Sequence, residues 1–143
     1  MSVSPASRPE PAPITACTIS RDVQNFDLLI EDMEELCGEA WGDLSFADAR
    51  QFLAQPEAAH LRFAAVAIDS EDEAGLATVA DVIQTAIKHA IKVVVIAEGV
   101  SPTALHQLLK LGAGEFVPYP LPDGALHDAV ERLTRPAPEP SAE

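Results

Sequence analysis

A chain of 143 residues with 48% hydrophobic content is long enough for one domain with its own core, and too apolar to stay unfolded. Its net charge of −14 repels the phosphate backbones of nucleic acids, so direct nucleic-acid binding is not expected. No apolar run reaches the roughly 20 residues of a membrane span and the N-terminus has no basic-then-apolar signal pattern, so a cytoplasmic location is expected.

Residues 1–13 are rich in Pro and Ser and read as a disordered segment. Residues 14–19 (ITACTI) read as a buried strand. A helix is predicted from near Asp22, with Phe26, Leu29, Ile30, Met33, Leu36 and Cys37 at helical spacing and Gly38 at its end. Residues 41–46 form a short second strand, and 47–54 a short helix that Pro56 stops. The third strand, 61–68, runs straight into Asp69. Leu76, Val79, Ile83, Ile87 and Ala90 make the apolar stripe of a third helix. Residues 92–96 are the most apolar strand, suited to the middle of a parallel sheet, and run into Ala97.

Ser101-Pro102 is a helix start, a capping hydroxyl followed by Pro at the first helical position. Leu105, Leu108 and Leu109 are expected to face inward, and Gly112 to close that helix. Residues 115–118 form a fifth strand leading into Tyr119-Pro120. Asp123 is expected to cap a last helix carrying Leu126, Val130 and Leu133. Residues 136–143 (PAPEPSAE) read either as an interdomain linker or as a plain disordered tail.

Five alternating βα units over residues 14–135 predict an α/β domain with a five-stranded parallel sheet and helices on both faces. The right-handed crossover rule leaves few topologies, and the flavodoxin-like order 2-1-3-4-5 is the common one for five strands.

In such a sheet ligands bind at the carboxyl ends of the strands. The residues there are Ser20, Arg21, Asp22, Asp69, Ala97, Glu98, Tyr119 and Pro120. This order resembles the receiver (CheY-like) domain of two-component signalling. That family places a phosphorylated Asp, a Ser or Thr, and a Lys before Pro at the ends of strands 3, 4 and 5. The resemblance implies Asp69 as the phosphoacceptor position, with Ala97 in the hydroxyl position and Tyr119 in the lysine position. The family's acidic pair after strand 1 falls on Ser20 and Arg21, with Asp22 one place further along, in the first helical turn. A phosphoryl-accepting carboxylate needs a magnesium ion held by carboxylates, and a cation and hydroxyl for the product. Those parts are missing, so no metal and no cofactor are expected. The loop after Asp69 adds Glu71, Asp72 and Glu73, which would repel a phosphoryl donor. The resemblance also implies a cis Tyr119–Pro120 bond.

Each piece has a plainer reading. An Asp ending a strand is common as a turn or cap residue. Arg21 is either a solvated charge or a partner for Asp69 that imitates the absent metal. Cys17 and Cys37 make no metal spacing or disulfide framework and read as core packing. His60, His89, His106 and His127 form no ligand spacing, and a surface role is expected for them. There is no Gly-rich phosphate loop and no Ser/His/Asp or Cys/His arrangement. The acidic charge reads as a soluble surface, or else as complementary to a basic partner.

Two longer segments narrow the reading. The runs ITACTISRDVQNFDLLIEDM at 14–33 and VIAEGVSPTALHQLLKLGAGEFVPYPLP at 95–122 resemble the N-terminal domain of the CpaE/TadZ family. These are localisation proteins of Flp (Tad) pilus assembly. The resemblance implies an atypical receiver that is not an enzyme, works by protein–protein contact, and is often positioned at the cell pole. It also implies a MinD/ParA-like ATPase domain beyond this segment, so a fragment of a longer protein is expected, with a stand-alone protein as the alternative. By analogy with receivers, a homodimer or a pilus component would dock on helix 4, strand 5 and helix 5, through His106, Gln107, Lys110, Leu111, Tyr119, Leu121 and His127. Two other functions compete: a phosphorylatable response regulator using Asp69, and, ranked last, a small-molecule or nucleotide-binding module.

Overall fold

A computed structural model describes residues 14–134. The expectations for 1–13 and 136–143, and the domain end at 135, lie outside the described residues. The described residues form five parallel strands: β1 (Ala16–Ile19), β2 (Trp41–Leu44), β3 (Phe63–Asp69), β4 (Val93–Glu98) and β5 (Glu115–Pro118). They lie in the order β2-β1-β3-β4-β5, the flavodoxin-like order read from the sequence. Five helices alternate with them: α1 (Asp27–Cys37), α2 (Phe46–Leu53), α3 (Leu76–Lys88), α4 (Pro102–Lys110) and α5 (Ala125–Thr134).

The strand sequences explain the layering. Along β3, Ala64, Val66 and Ile68 face one apolar cluster, and Phe63, Ala65 and Ala67 the other. On β4, Val93, Val95 and Ala97 alternate in the same way with Val94 and Ile96. A strand buried on both faces has no polar side, which is why these read as unbroken apolar runs. The first cluster takes Ala49 and Leu53 of α2, Val79 and Ile83 of α3, and Leu108 of α4. The second takes Leu29 and Met33 of α1 and Leu126, Ala129 and Val130 of α5. Removing one such side chain, as in Leu29→Ala, costs about 2–5 kcal/mol through lost transfer energy and the cavity left behind.

Several boundaries differ from the sequence expectations, two of them because a polar side chain captures the backbone. The first helix does not begin near Asp22. The Asp22 carboxylate accepts the Gln24 N–H at 3.0 Å and caps a 3-10 turn, Val23–Asn25, so α1 starts only at Asp27 and Asp22 lies outside its first turn. Strand β2 stops at Leu44 rather than 46, because Ser45 accepts the Asp48 N–H at 3.1 Å and caps α2. Strand β3 begins at Phe63 rather than 61, after a 3-10 turn over Pro56–His60. Ala90 is not part of the α3 stripe. The helix ends at Lys88, and Ala90 is exposed with φ at 63°. Leu109 was expected inward but is 37% exposed, since Ala104 and Leu108 already define the buried line of α4. Asp123 lies in a turn, and α5 begins two residues later. Gly112 does close the α4 region, at φ 122° with the Ile87 side chain 3.2 Å from where a Cβ would stand. Both the dihedral and the space there need glycine.

Candidate functional site

The strand ends bring the expected residues to one edge of the sheet. Asp69 is the last residue of β3 and stands in register with Glu98 of β4. Ser20 follows β1, is buried, and donates its N–H to the Leu44 carbonyl at 3.1 Å. That bond fixes the backbone from which Arg21 reaches across the sheet end. Arg21 Nη2 donates to both Asp69 carboxylate oxygens at 2.8 Å each. Arg21 Nε donates to Asp72 Oδ1 at 2.8 Å, and Nη1 lies 3.6 Å from Glu71 Oε1.

The segment after Asp69 is not an open acidic loop. It is a 3-10 helix, Ser70–Gly75, capped by Asp69 in a reciprocal capping box with Asp72. The Asp69 carboxylate accepts the Glu71 N–H at 2.9 Å, while the Asp69 N–H donates to Asp72 Oδ2 at 2.9 Å. Burial pushes the Asp69 carboxyl upward. The Arg21 hydrogen bond, the Glu71 N–H, the Arg21 charge and the Asp72 N–H together outweigh it and hold the group below the usual carboxylate range. The same bonds to Asp69 and Asp72 raise Arg21 above its ordinary value. Asp72 is almost fully buried and is tolerated because both of its oxygens are bonded.

Two more contacts tie the site to its neighbours. Glu73 accepts the Ser101 hydroxyl at 2.5 Å and the Ser101 N–H at 3.1 Å, which lowers its pKa. Tyr119 turns toward α1. Its hydroxyl accepts the Leu28 N–H at 3.0 Å, and its ring meets Phe26 edge-on with centroids 5.0 Å apart. The Tyr119–Pro120 bond is cis, as expected.

A carboxylate that attacks phosphorus needs a free oxygen, a divalent cation to quench phosphoryl charge, and donors for the product. The residues present do not fit that cation. The Arg21 guanidinium already bridges Asp69 and Asp72, and both Asp69 oxygens are engaged. Ala97 is buried and offers a methyl group where a hydroxyl is needed. Tyr119 is neutral and committed to α1.

Of the two readings of Arg21, the structure selects the partner for Asp69. The acidic residues read as repulsive are instead bonded: Asp72 to Arg21 and Glu73 to Ser101. The capping box was legible, since Asp69 and Asp72 have its three-residue spacing. The Glu73–Ser101 pair spans 28 positions and left no sequence signal. His106, Gln107 and Lys110 are exposed on α4, and His127 on α5. Leu111 and Leu121 are half-buried, packed against opposite apolar clusters. One grouping was missed. His127, Asp128 and Glu131 lie together on α5, with one ligand atom from each within 4.8 Å of the others, and all three are exposed.

No protein-family model matches the chain, and no curated protein is similar to it in sequence. Solved structures share its fold. The pilus assembly protein CpaE of Caulobacter crescentus CB15 is 16% identical, with a TM-score of 0.58 over 85% of this chain and 93% of that one. The receiver domain of a DNA-binding response regulator from Colwellia psychrerythraea 34H is 18% identical, with a TM-score of 0.61 over 86% of this chain and 99% of that one. A response regulator receiver protein from Pseudoalteromonas atlantica is 15% identical, with a TM-score of 0.58 over 82% of this chain and 94% of that one. The chain therefore has the receiver fold, which it shares with CpaE pilus proteins and response regulators alike. No helix among the described residues is long and apolar enough to cross a membrane.

Proposed function

We propose that this domain is a pseudo-receiver that has exchanged phosphotransfer for protein–protein contact, and that it serves a pilus assembly or localisation protein. The observation that carries the first half is the Arg21 fork. It puts a fixed cation across Asp69 and Asp72, where phosphotransfer needs an exchangeable one. The second half rests on the segments at 14–33 and 95–122 and on the CpaE neighbour. In this reading α4, β5 and α5 form the docking face, for a second copy or a pilus component at the cell pole. A MinD/ParA-like ATPase domain is the expected companion.

Acetyl phosphate and magnesium test the chemistry directly. Intact mass spectrometry should show the unmodified protein, and beryllofluoride with magnesium should leave its amide spectrum unchanged. A stoichiometric adduct that disappears in Asp69→Asn would establish the competing reading, a phosphorylatable receiver. One observation favours that competitor: Asp69 is held ionised at a strand end with its side chain 20% exposed. For the pilus role, a fluorescent fusion of the full-length protein should concentrate where pili emerge, and a diffuse signal in cells making normal pili counts against it.

A further inference from the structure

We infer that Arg21 controls the N-terminal end of α4, which it does not touch, through the 3-10 segment Ser70–Gly75. The inference rests on the pseudo-receiver reading only in treating α4 as part of the docking face.

The route consists of three hydrogen-bonded steps. Arg21 grips the segment at its start through Asp69 and in its middle through Asp72. Asp72 and Glu73 are neighbours in sequence but reach different elements. Asp72 bonds to Arg21, and Glu73 bonds to Ser101. Ser101 is the N-cap of α4, and its hydroxyl accepts the Ala104 N–H at 3.2 Å while donating to Glu73. The cap is thus oriented by Glu73, and Glu73 is positioned by the segment that Arg21 holds. The two loops are also close, since a Cβ on Gly99 would sit 3.7 Å from the Ser70 Cβ.

Charge gives the route its force. Asp69, Glu71, Asp72 and Glu73 place four carboxylates within five positions, and no basic residue lies in 69–75. Like charges repel more where they are buried, and the Asp69 and Asp72 side chains are only 20% and 5% exposed. Arg21 reaches three of the four. Without it the segment would spread, and Glu73 would be carried away from Ser101. A permanent cation at the strand ends therefore holds the first turn of α4 in one arrangement. Such a claim of coupling needs a readout at the far end.

Amide hydrogen exchange on the whole chain supplies that readout. Arg21→Met should speed exchange at amides 104–108 by about tenfold, the scale of a lost charge-assisted hydrogen bond seen in local opening. Ser101→Ala, which removes the cap directly, should do the same. The double variant should be no faster there than Ser101→Ala alone. Amides of α5 should keep their wild-type rates. Faster exchange confined to 69–75 would overturn the inference, as would a uniform rise that includes α5, or additive effects in the double variant. Should Arg21→Met not fold, Arg21→Lys, which keeps the charge but loses the fork, is read by the same criteria. The pseudo-receiver reading fails instead by a phosphate adduct in the mass spectrum, so the two failures are distinct.

Discussion

The Tyr119 hydroxyl accepts the Leu28 N–H at 3.0 Å across 91 positions of sequence. Helix α1 has Phe26 at its N-cap, and the Phe26 side chain has no oxygen with which to cap the free amides of the first turn. The loop after β5 supplies that oxygen from outside. Tyr119→Phe keeps the ring against Phe26 and loses only the bond, so it should lower stability by about 1 kcal/mol, the usual worth of a cap. Tyr119→Ala also loses the edge-on ring contact and should cost about 2 kcal/mol more. Urea unfolding measures both. Equal stability of Tyr119→Phe and wild type would mean that water caps α1 just as well.

The Arg21–Asp69 pair sets an acid limit. The Asp69 pKa is lower in the folded chain than its ordinary value. Its contribution is therefore complete above the unfolded-state pKa of about 3.9 and lost as pH falls through the folded-state value. Glu73 shifts in the same direction, through its bonds to Ser101. Wild type should lose stability steeply below about pH 4. Asp69→Asn should start lower and lose less over the same range. Denaturation midpoints measured from pH 6 to pH 3 decide it, and parallel curves for the two proteins would refute the coupling.

Much of this architecture was legible because both of its signals are local. Val93–Ile96 is four β-branched residues in a row, which favours a strand buried on two faces, and Ser101-Pro102 and Gly112 mark helix ends by their own chemistry. What could not be read were contacts whose partners lie far apart. Glu73 with Ser101 and Tyr119 with Leu28 depend on which loops the sheet order brings together, and no residue type at either end announces them. The missed helix start at Asp22 has another cause. A carboxylate that bonds two residues ahead stabilises a turn as well as a helix cap, and the sequence is the same for both outcomes. Leu109 was misplaced because apolar spacing alone does not say which of Leu105, Leu108 and Leu109 lies on the edge of the stripe.

Thr18 predicts a gain. It is fully buried in β1, and its hydroxyl has no hydrogen-bond partner among the described residues. A buried unmade hydrogen bond costs about 1–3 kcal/mol, so Thr18→Val, close in shape, should stabilise the fold by about 1 kcal/mol. A shift of the urea midpoint to higher concentration with an unchanged slope is the expected result. A loss of stability would show that the hydroxyl is satisfied by an internal water.

The docking face yields the last prediction, and the structure decides which residues can test it. Leu111 and Leu121 are half-buried against the core and Tyr119 holds α1, so changing any of them confuses folding with binding. Leu109 is different. It is an apolar side chain 37% exposed on α4, next to Lys110 and three residues beyond His106. Its replacement should cost the monomer under about 0.5 kcal/mol, as surface changes usually do. If α4 is the centre of a contact between copies, Leu109→Glu should weaken self-association at least tenfold, about 1.4 kcal/mol, by placing a carboxylate in a desolvated patch of an already acidic chain. Sedimentation equilibrium on wild type and variant, with circular dichroism to confirm the fold, measures this. A wild type that stays monomeric at high concentration removes the homodimer from the proposal. A folded Leu109→Glu variant of the full-length protein that still localises and assembles pili removes the face itself.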